Sequence, residues 1–269
     1  MKKMTEEQRY LLDLWGYLHI QNAFSGDELS KATAAAERYV YAAPDELPEG
    51  FGIEGKRHLH GFAFDKSLER LATHPSIWPI IREVTKGRPR LTSGTLQIDR
   101  PDADNEPLRF HCARDDYGWD AMRWDVRDGR LFCNHTVAFP YLTDVNPGDG
   151  GLLVVPGSHK SNFERPKDLF NGGFVSDPDN LPPGVVNITP KAGDVVIMSE
   201  SVTHGALSWR ATDRLRMYLV LRYFPQYSGG GEMPEAIRNR LSPETCELIS
   251  PAGHGIVKQI VETDDVTLT

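Results

Sequence analysis

Two histidines far apart in the chain, His111 and His204, are the residues best suited to chemistry. His111 follows Pro107-Leu108-Arg109-Phe110, and His204 follows Gly193-Asp194-Val195-Val196-Ile197-Met198. Neutral imidazoles at the ends of strands suit Fe(II), and a facial set of two His and one carboxylate leaves positions open for O2 and a substrate. Beyond His204 runs a basic segment, Arg214-Leu215-Arg216-Met217-Tyr218-Leu219-Val220-Leu221-Arg222-Tyr223. On a strand of period two, Arg214, Arg216, Tyr218 and Arg222 share one face. A guanidinium turned into a barrel requires an anion, and its fork matches a carboxylate at two points. A dicarboxylate cosubstrate would supply that anion.

The elements that must position these groups fall into two textures. The first third reads as helical. Ser25 with Glu28 forms a capping-box signature, and Leu29, Ala32, Ala36 and Val40 recur at helical spacing behind it. Gly16 to Ile20 predicts a short strand ahead of that helix, Ala43 to Gly55 a loop, and Ile77 to Val84 a second helix stopped at Lys86-Gly87. From Leu91 onward the chain predicts strands at Leu91–Ile98, Arg130–Thr143, Leu152–Val155, Val185–Ile188, Asp194–Met198 and Leu215–Phe224. Strong turns separate them, above all Asn146-Pro147-Gly148-Asp149-Gly150-Gly151 and Pro156-Gly157-Ser158. Many short strands with Gly and Pro punctuation point to a jelly roll or barrel. The expected organisation is one domain over 1–269: a helical part to about residue 88, a β core over about 89–226, and a C-terminal extension over 227–269.

Composition narrows the function. At 269 residues with 39% hydrophobic and 25% charged residues, the chain can bury a sizeable core and has ordinary globular character. A net charge of -8 argues against nucleic acid or an anionic membrane as the main partner. No stretch approaches the roughly 20 apolar residues that span a bilayer. The three cysteines Cys112, Cys133 and Cys246 form no disulfide framework. With a start that lacks a signal-peptide core, they predict a cytoplasmic protein acting on a small molecule, of undetermined oligomeric state.

The spacings resemble the phytanoyl-CoA dioxygenase family of Fe(II)- and 2-oxoglutarate-dependent oxygenases. Gly16-Tyr17-Leu18-His19-Ile20 with the helix from Ser25 is similar to its N-terminal module. Leu142-Thr143-Asp144 through Asn146–Gly151 to Val155-Pro156-Gly157-Ser158-His159-Lys160 is similar to its central hairpin, and Ala192–Val196 with His204-Gly205 to its second ligand segment. The resemblance covers about residues 8–226 and implies a double-stranded β-helix, a cupin-like jelly roll with N-terminal helices. It implies that His111 and His204 bind iron and that Arg216 holds 2-oxoglutarate, with Arg214 in reserve and Gln97 and Thr136 completing the cosubstrate pocket. With O2 the cosubstrate would give succinate and CO2 while a C–H bond of a small metabolite is oxidised.

The sequence departs from the family at one ligand. The family's first ligand segment reads His-x-Asp, whereas here it reads His111-Cys112-Ala113. Asp115, Asp116 and Glu200 are the acids near enough in sequence to replace the carboxylate, and sequence does not choose among them. A small residue at this place also occurs in the family's halogenating relatives, where chloride fills the position, so a halogenase is an alternative. A jelly-roll binding protein without catalysis is another. The family's small hydroxyl two residues after the second His is Ala206 here, with Ser208 as a substitute. No concentrated basic patch suits the phosphates of CoA. His58-Leu59-His60 at strand spacing reads as entrance or surface, His135 as inward-facing or packed, and His159 as structural. Trp119 and Trp124 with Arg114, Arg123 and Arg127 stand where a barrel would have its mouth.

Overall fold

A computed structural model of the chain describes residues 2–101, 106–118, 122–169, 173–175, 177–228 and 231–269. Its N-terminal part carries α1 (Glu6–Trp15), β1 (Tyr17–Ile20), α2 (Gly26–Tyr41), the small strands β2 (Ile53–Glu54) and β3 (Arg57–His58), α3 (Lys66–Glu69) and α4 (Trp78–Val84). The β region follows as β4 (Pro89–Asp99), β5 (Leu108–His111), the short helix α5 (Ala113–Tyr117), β6 (Trp124–Arg127), β7 (Arg130–Cys133), β8 (Thr136–Pro140) and β9 (Gly151–Val154). It continues through β10 (Val186–Asn187), β11 (Val195–Ser199), β12 (His204–Leu207) and β13 (Arg216–Pro225).

Two antiparallel sheets form the core, one ordered β1-β11-β8-β13-β4-β3-β2 and the other β10-β9-β12-β5, and β6 and β7 pair separately. The larger sheet is covered on both faces, and its period-two alternation sorts residues between them. Met217, Leu219, Leu221 and Tyr223 of β13 join Val195 and Ile197 of β11 in the core that includes Leu12, Ala36, Tyr39, Trp78 and Ile81 of the helices. The intervening residues Val196, Met198, Val137, Phe139 and Val220 pack with Val154 of the smaller sheet. Helices therefore back the large sheet, and the two sheets close on each other in front of it.

The structure corrects several sequence readings. The strand expected over Arg130–Thr143 is two strands, broken at Asn134 and His135. Ser25 does stand at the N-cap of α2, but its side chain makes no cap bond. Glu28 instead reaches the ring of His74 at 3.2 Å. The capping box that forms is Thr5 with Gln8, at α1. His58 does not line an entrance: it is buried edge-on against Tyr39, with ring centroids 5.0 Å apart. Among the described residues no helix is long and apolar enough to cross a membrane.

Buried imidazoles give the fold a pH dependence. Burial, with the field of Arg100 added, brings the His58 pKa down to about 4. Burial and the neighbouring Lys160 do the same for His159, also to about 4. The folded rings stay neutral down to that pH, whereas the unfolded chain protonates them near 6.5. Protons thus favour the unfolded state between pH 6.5 and 4, and stability falls as pH drops through that window. Denaturant midpoints measured from pH 8 to 4.5 should be flat above 6.5 and decline below it, and the decline should be shallower in His58→Gln.

Candidate active site

The two histidines meet because β12 pairs with β5 in a register that sets His204 opposite His111, with a bulge between His204 and Ala206. Their ring centroids are 4.1 Å apart. Each ring is oriented by a carbonyl two residues before it: His111 Nδ1 lies 2.9 Å from the Arg109 carbonyl and His204 Nδ1 2.8 Å from the Val202 carbonyl. A carbonyl only accepts, so each Nδ1 carries the proton and donates it, leaving the Nε2 lone pair for another partner. Burial, with the proximity of His111 added, lowers the His204 pKa to about 4 against the opposing pull of Glu200. The His204 ring is therefore neutral at neutral pH.

Both rings line a cavity of about 740 Å³ between the sheets, together with Arg216, Tyr218, Val220 and Arg222 from β13. At one end lies Arg216, whose side chain is almost fully buried. Its Nε and Nη2 donate to the same oxygen of Asp99 at 2.8 and 2.6 Å. The other oxygen of Asp99 takes Lys56 Nζ at 2.8 Å. The rings of Trp209 and Tyr218 stand 5.7 and 5.2 Å from the guanidinium carbon. Asp99 and the nearby tyrosines raise the Arg216 pKa despite burial, so the group stays charged. A guanidinium has five N–H donors and Asp99 uses two, which leaves the Nη1/Nη2 edge for a second carboxylate.

At the histidine end lies Glu200, on the turn between β11 and β12. Its side chain is 6% exposed, with Oε2 3.7 Å from His204 Nε2 and Oε1 3.5 Å from Arg222 Nε. Burial raises its pKa, but the fields of His204, His135, Arg222 and His111 outweigh that and hold it below the usual glutamate value. Among the described residues no three His, Cys, Asp or Glu side chains converge as a ready-made metal cluster. The donor chemistry nonetheless fits a divalent iron: two Nε2 lone pairs with fixed tautomers, and a buried carboxylate beside one of them.

The other residues singled out from sequence divide sharply. Gln97 lines the cavity, opposite Tyr218 in the register of β4 and β13. Thr136 is buried on β8 between Ser199 and Tyr223 and does not line the cavity. Arg214 precedes β13 and leaves the site: it pairs with Asp149 and Asp213 and donates to the Asp144 carbonyl. Asp115 and Asp116 are also engaged elsewhere. Asp115 accepts from Arg114 and from the Arg165 backbone, while Asp116 caps the Cys112 N–H and binds the Arg165 guanidinium.

His135 is buried against Phe224, and among the described residues neither ring nitrogen has a hydrogen-bond partner. His159 packs edge-on against Trp124 and reaches the Asp13 carbonyl. Trp124, Arg114, Arg123 and Arg127 border a different cavity, of about 550 Å³, and Trp119 lies outside the described residues. Asp99, Lys56 and Tyr141 were not singled out from sequence, although Asp99 stands two residues from Gln97 on the same face of β4.

Gly151 has a positive φ of 89°, and a Cβ there would lie 2.7 Å from Arg216 Nη1. Gly151→Ala should push the guanidinium off Asp99 and weaken calorimetrically measured binding of a plain dicarboxylate such as glutarate by about tenfold, about 1.4 kcal/mol. Unchanged affinity would show that Arg216 does not depend on this gap.

Comparison with known proteins places this geometry in context. The family described as Phytanoyl-CoA dioxygenase (PhyH) matches residues 12–217. An ectoine dioxygenase of Bordetella parapertussis is 24% identical over 213 residues, covering 72% of this chain and 67% of the relative. One from Sphingopyxis alaskensis is 23% identical over 226 residues, covering 76% and 70%. Among solved structures, HygX from Streptomyces hygroscopicus with nickel and 2-oxoglutarate bound has a TM-score of 0.68 at 26% identity, covering 82% of this chain and 87% of that one. The same protein with hygromycin B also bound has a TM-score of 0.65 at 25% identity, covering 82% and 87%.

Proposed function

The chain belongs to the phytanoyl-CoA dioxygenase family of iron- and 2-oxoglutarate-dependent dioxygenases, and on that premise we propose that it oxidises a C–H bond of a small polar metabolite. In this reading His111 and His204 hold Fe(II), and Arg216 holds the far carboxylate of 2-oxoglutarate. The observation that carries it is the single cavity shared by two tautomer-fixed histidines and a caged arginine with one edge to spare.

Iron, when bound, supplies activation of O2 coupled to conversion of 2-oxoglutarate to succinate and CO2. The chain's own residues prepare that chemistry. Asp99 and the rings of Trp209 and Tyr218 set the plane of Arg216, so the cosubstrate meets a donor edge that needs no rearrangement. Lys56 offsets the charge of Asp99, keeping that end of the cavity attractive to an anion. Phe139, Leu152 and Val220 supply apolar walls that exclude water. The cavity volume falls in the range of about 300–1,000 Å³ that encloses drug-sized ligands, leaving room for a substrate beside the cosubstrate. Glu54, Arg57 and Glu106 on the wall favour a polar substrate, as does the likeness to a protein solved with hygromycin B.

Halogenation finds less support. Ala113 is fully buried, does not line the cavity, and donates its N–H to the Glu200 carbonyl at 2.7 Å. A chloride beside Ala113 would have no opening to occupy, and Glu200 would repel one at the histidines.

Anaerobic loading with Fe(II) and then 2-oxoglutarate should give a weak visible charge-transfer band that chloride does not shift. His204→Ala should abolish the band. Arg216→Met should raise the 2-oxoglutarate concentration needed for it about 30-fold, about 2 kcal/mol for a charge-assisted contact. Folded, iron-loaded protein that shows no band would overturn the reading, and a band that moves with chloride would revive the halogenase.

A further inference from the structure

We propose that Glu200 supplies the carboxylate of the iron site in place of the acid that the first ligand segment lacks. The inference rests on the oxygenase reading and concerns which residues of this chain complete it. His111-Cys112-Ala113 offers no acid where the family has one, and the structure shows what stands there instead. The Ala113 N–H donates to the Glu200 carbonyl, so the main chain of Glu200 lies directly against the position that has lost its side chain. The carboxylate is thereby moved from the start of α5 to the neighbouring turn.

The state of the Glu200 side chain is the second observation. It is more than nine-tenths buried and lines the histidine cavity, yet among the described residues no N–H or O–H donates to its carboxylate within hydrogen-bond distance. Arg222 Nε stops 3.5 Å from it, and His204 Nε2, at 3.7 Å, carries no proton to give. A buried carboxylate without hydrogen bonds is costly, and such groups persist where they are paired or coordinate a metal. Here the carboxylate faces two imidazoles whose own protons are turned away to backbone carbonyls. Two imidazole lone pairs and a carboxylate lining one cavity are the donor types a divalent cation requires, although among the described residues they do not yet converge as a finished cluster.

The turn that carries Glu200 is well tied. The Glu200 N–H donates to the His135 carbonyl, Val202 N–H to the Ser199 carbonyl, and Ser201 N–H to Ser199 Oγ. Glu200 on this braced turn thus sits four residues before His204 at the start of β12. Arg222, whose Nε forms an ion pair with Glu200 at 3.5 Å without closing a hydrogen bond, is a positioning residue for the carboxylate. Asp115 and Asp116, the competing acids, are held by Arg114, Arg165 and the Cys112 N–H, and neither lines the histidine cavity.

Metal binding tests this without any turnover. Competition against a chromophoric chelator under anaerobic conditions should show Fe(II) bound at least about tenfold more weakly by Glu200→Gln and Glu200→Ala than by wild type. Asp115→Asn should match wild type. The visible absorption of the Co(II) form should change in both Glu200 variants, and added formate should restore part of the affinity of Glu200→Ala by filling the vacated position. Glu200→Gln keeps the side-chain shape, so its metal-free protein should melt no lower than wild type; it decides the matter if Glu200→Ala fails to fold. Wild-type Fe(II) affinity and an unchanged Co(II) spectrum in Glu200→Gln would overturn the assignment while leaving the oxygenase reading intact. Failure of wild type to bind Fe(II) would overturn both.

Discussion

The register of β13 between β4 and β8 is the constraint on which this site depends. With period-two alternation, Met217, Leu219, Leu221 and Tyr223 go to the helical layer, and Arg216, Tyr218, Val220 and Arg222 go to the cavity. A slip of one residue would exchange the two sets, burying guanidinium groups among the helices and emptying the cavity of its polar wall. The register is pinned on both sides. Leu142 N–H donates to the Met217 carbonyl, Met217 N–H to Thr143 Oγ1, and the Tyr223 hydroxyl to the Ala72 carbonyl in the helical layer. The apolar face thus fixes the polar one, and the energetic penalty for misplacing either is large.

Within that frame the charged groups are arranged in two unequal sets. Asp99 is shared by Arg216 and Lys56, so one end of the cavity keeps an excess of positive charge. Glu200 and Arg222 at the other end approach without closing a hydrogen bond. The first set is satisfied internally and serves as a rigid mount; the second leaves interaction capacity unspent. A dicarboxylate and a cation are the complements of these two ends, which is why the same cavity suits a chelating cosubstrate whose acid groups lie at opposite ends.

Much of this was legible in sequence because it depends on local pattern. Alternation and turn chemistry found β4, β9, β11 and β13 to within a few residues, and the helix stop at Lys86-Gly87 is real, with the Gly87 N–H returning to the Arg82 carbonyl. His111 and His204 stood out at strand ends and Arg216 through the family resemblance, and the structure brings all three to one cavity. What could not be read depends on partners distant in sequence. Asp115, Asp116 and Glu200 are equal candidates along the chain; Arg165, fifty residues beyond Asp115, contacts the first two, which Arg114 and the Cys112 N–H also engage. Arg214 and Arg216 share a face by counting, yet Asp149 holds one outside while Asp99 holds the other within. Glu28 lost its capping role to His74, a contact that helix patterns cannot foresee.

One consequence follows from the place of β5 in its sheet. It is an edge strand, paired on one side only among the described residues, and Leu108 on it is 53% exposed. Edge strands are where sheets fray and where foreign strands add on. A cation shared between His111 on that strand and His204 on its neighbour would rivet the margin of the sheet. Holding iron would then protect the molecule from association as well as equip it for oxidation, and iron-starved protein would be lost first through its seam.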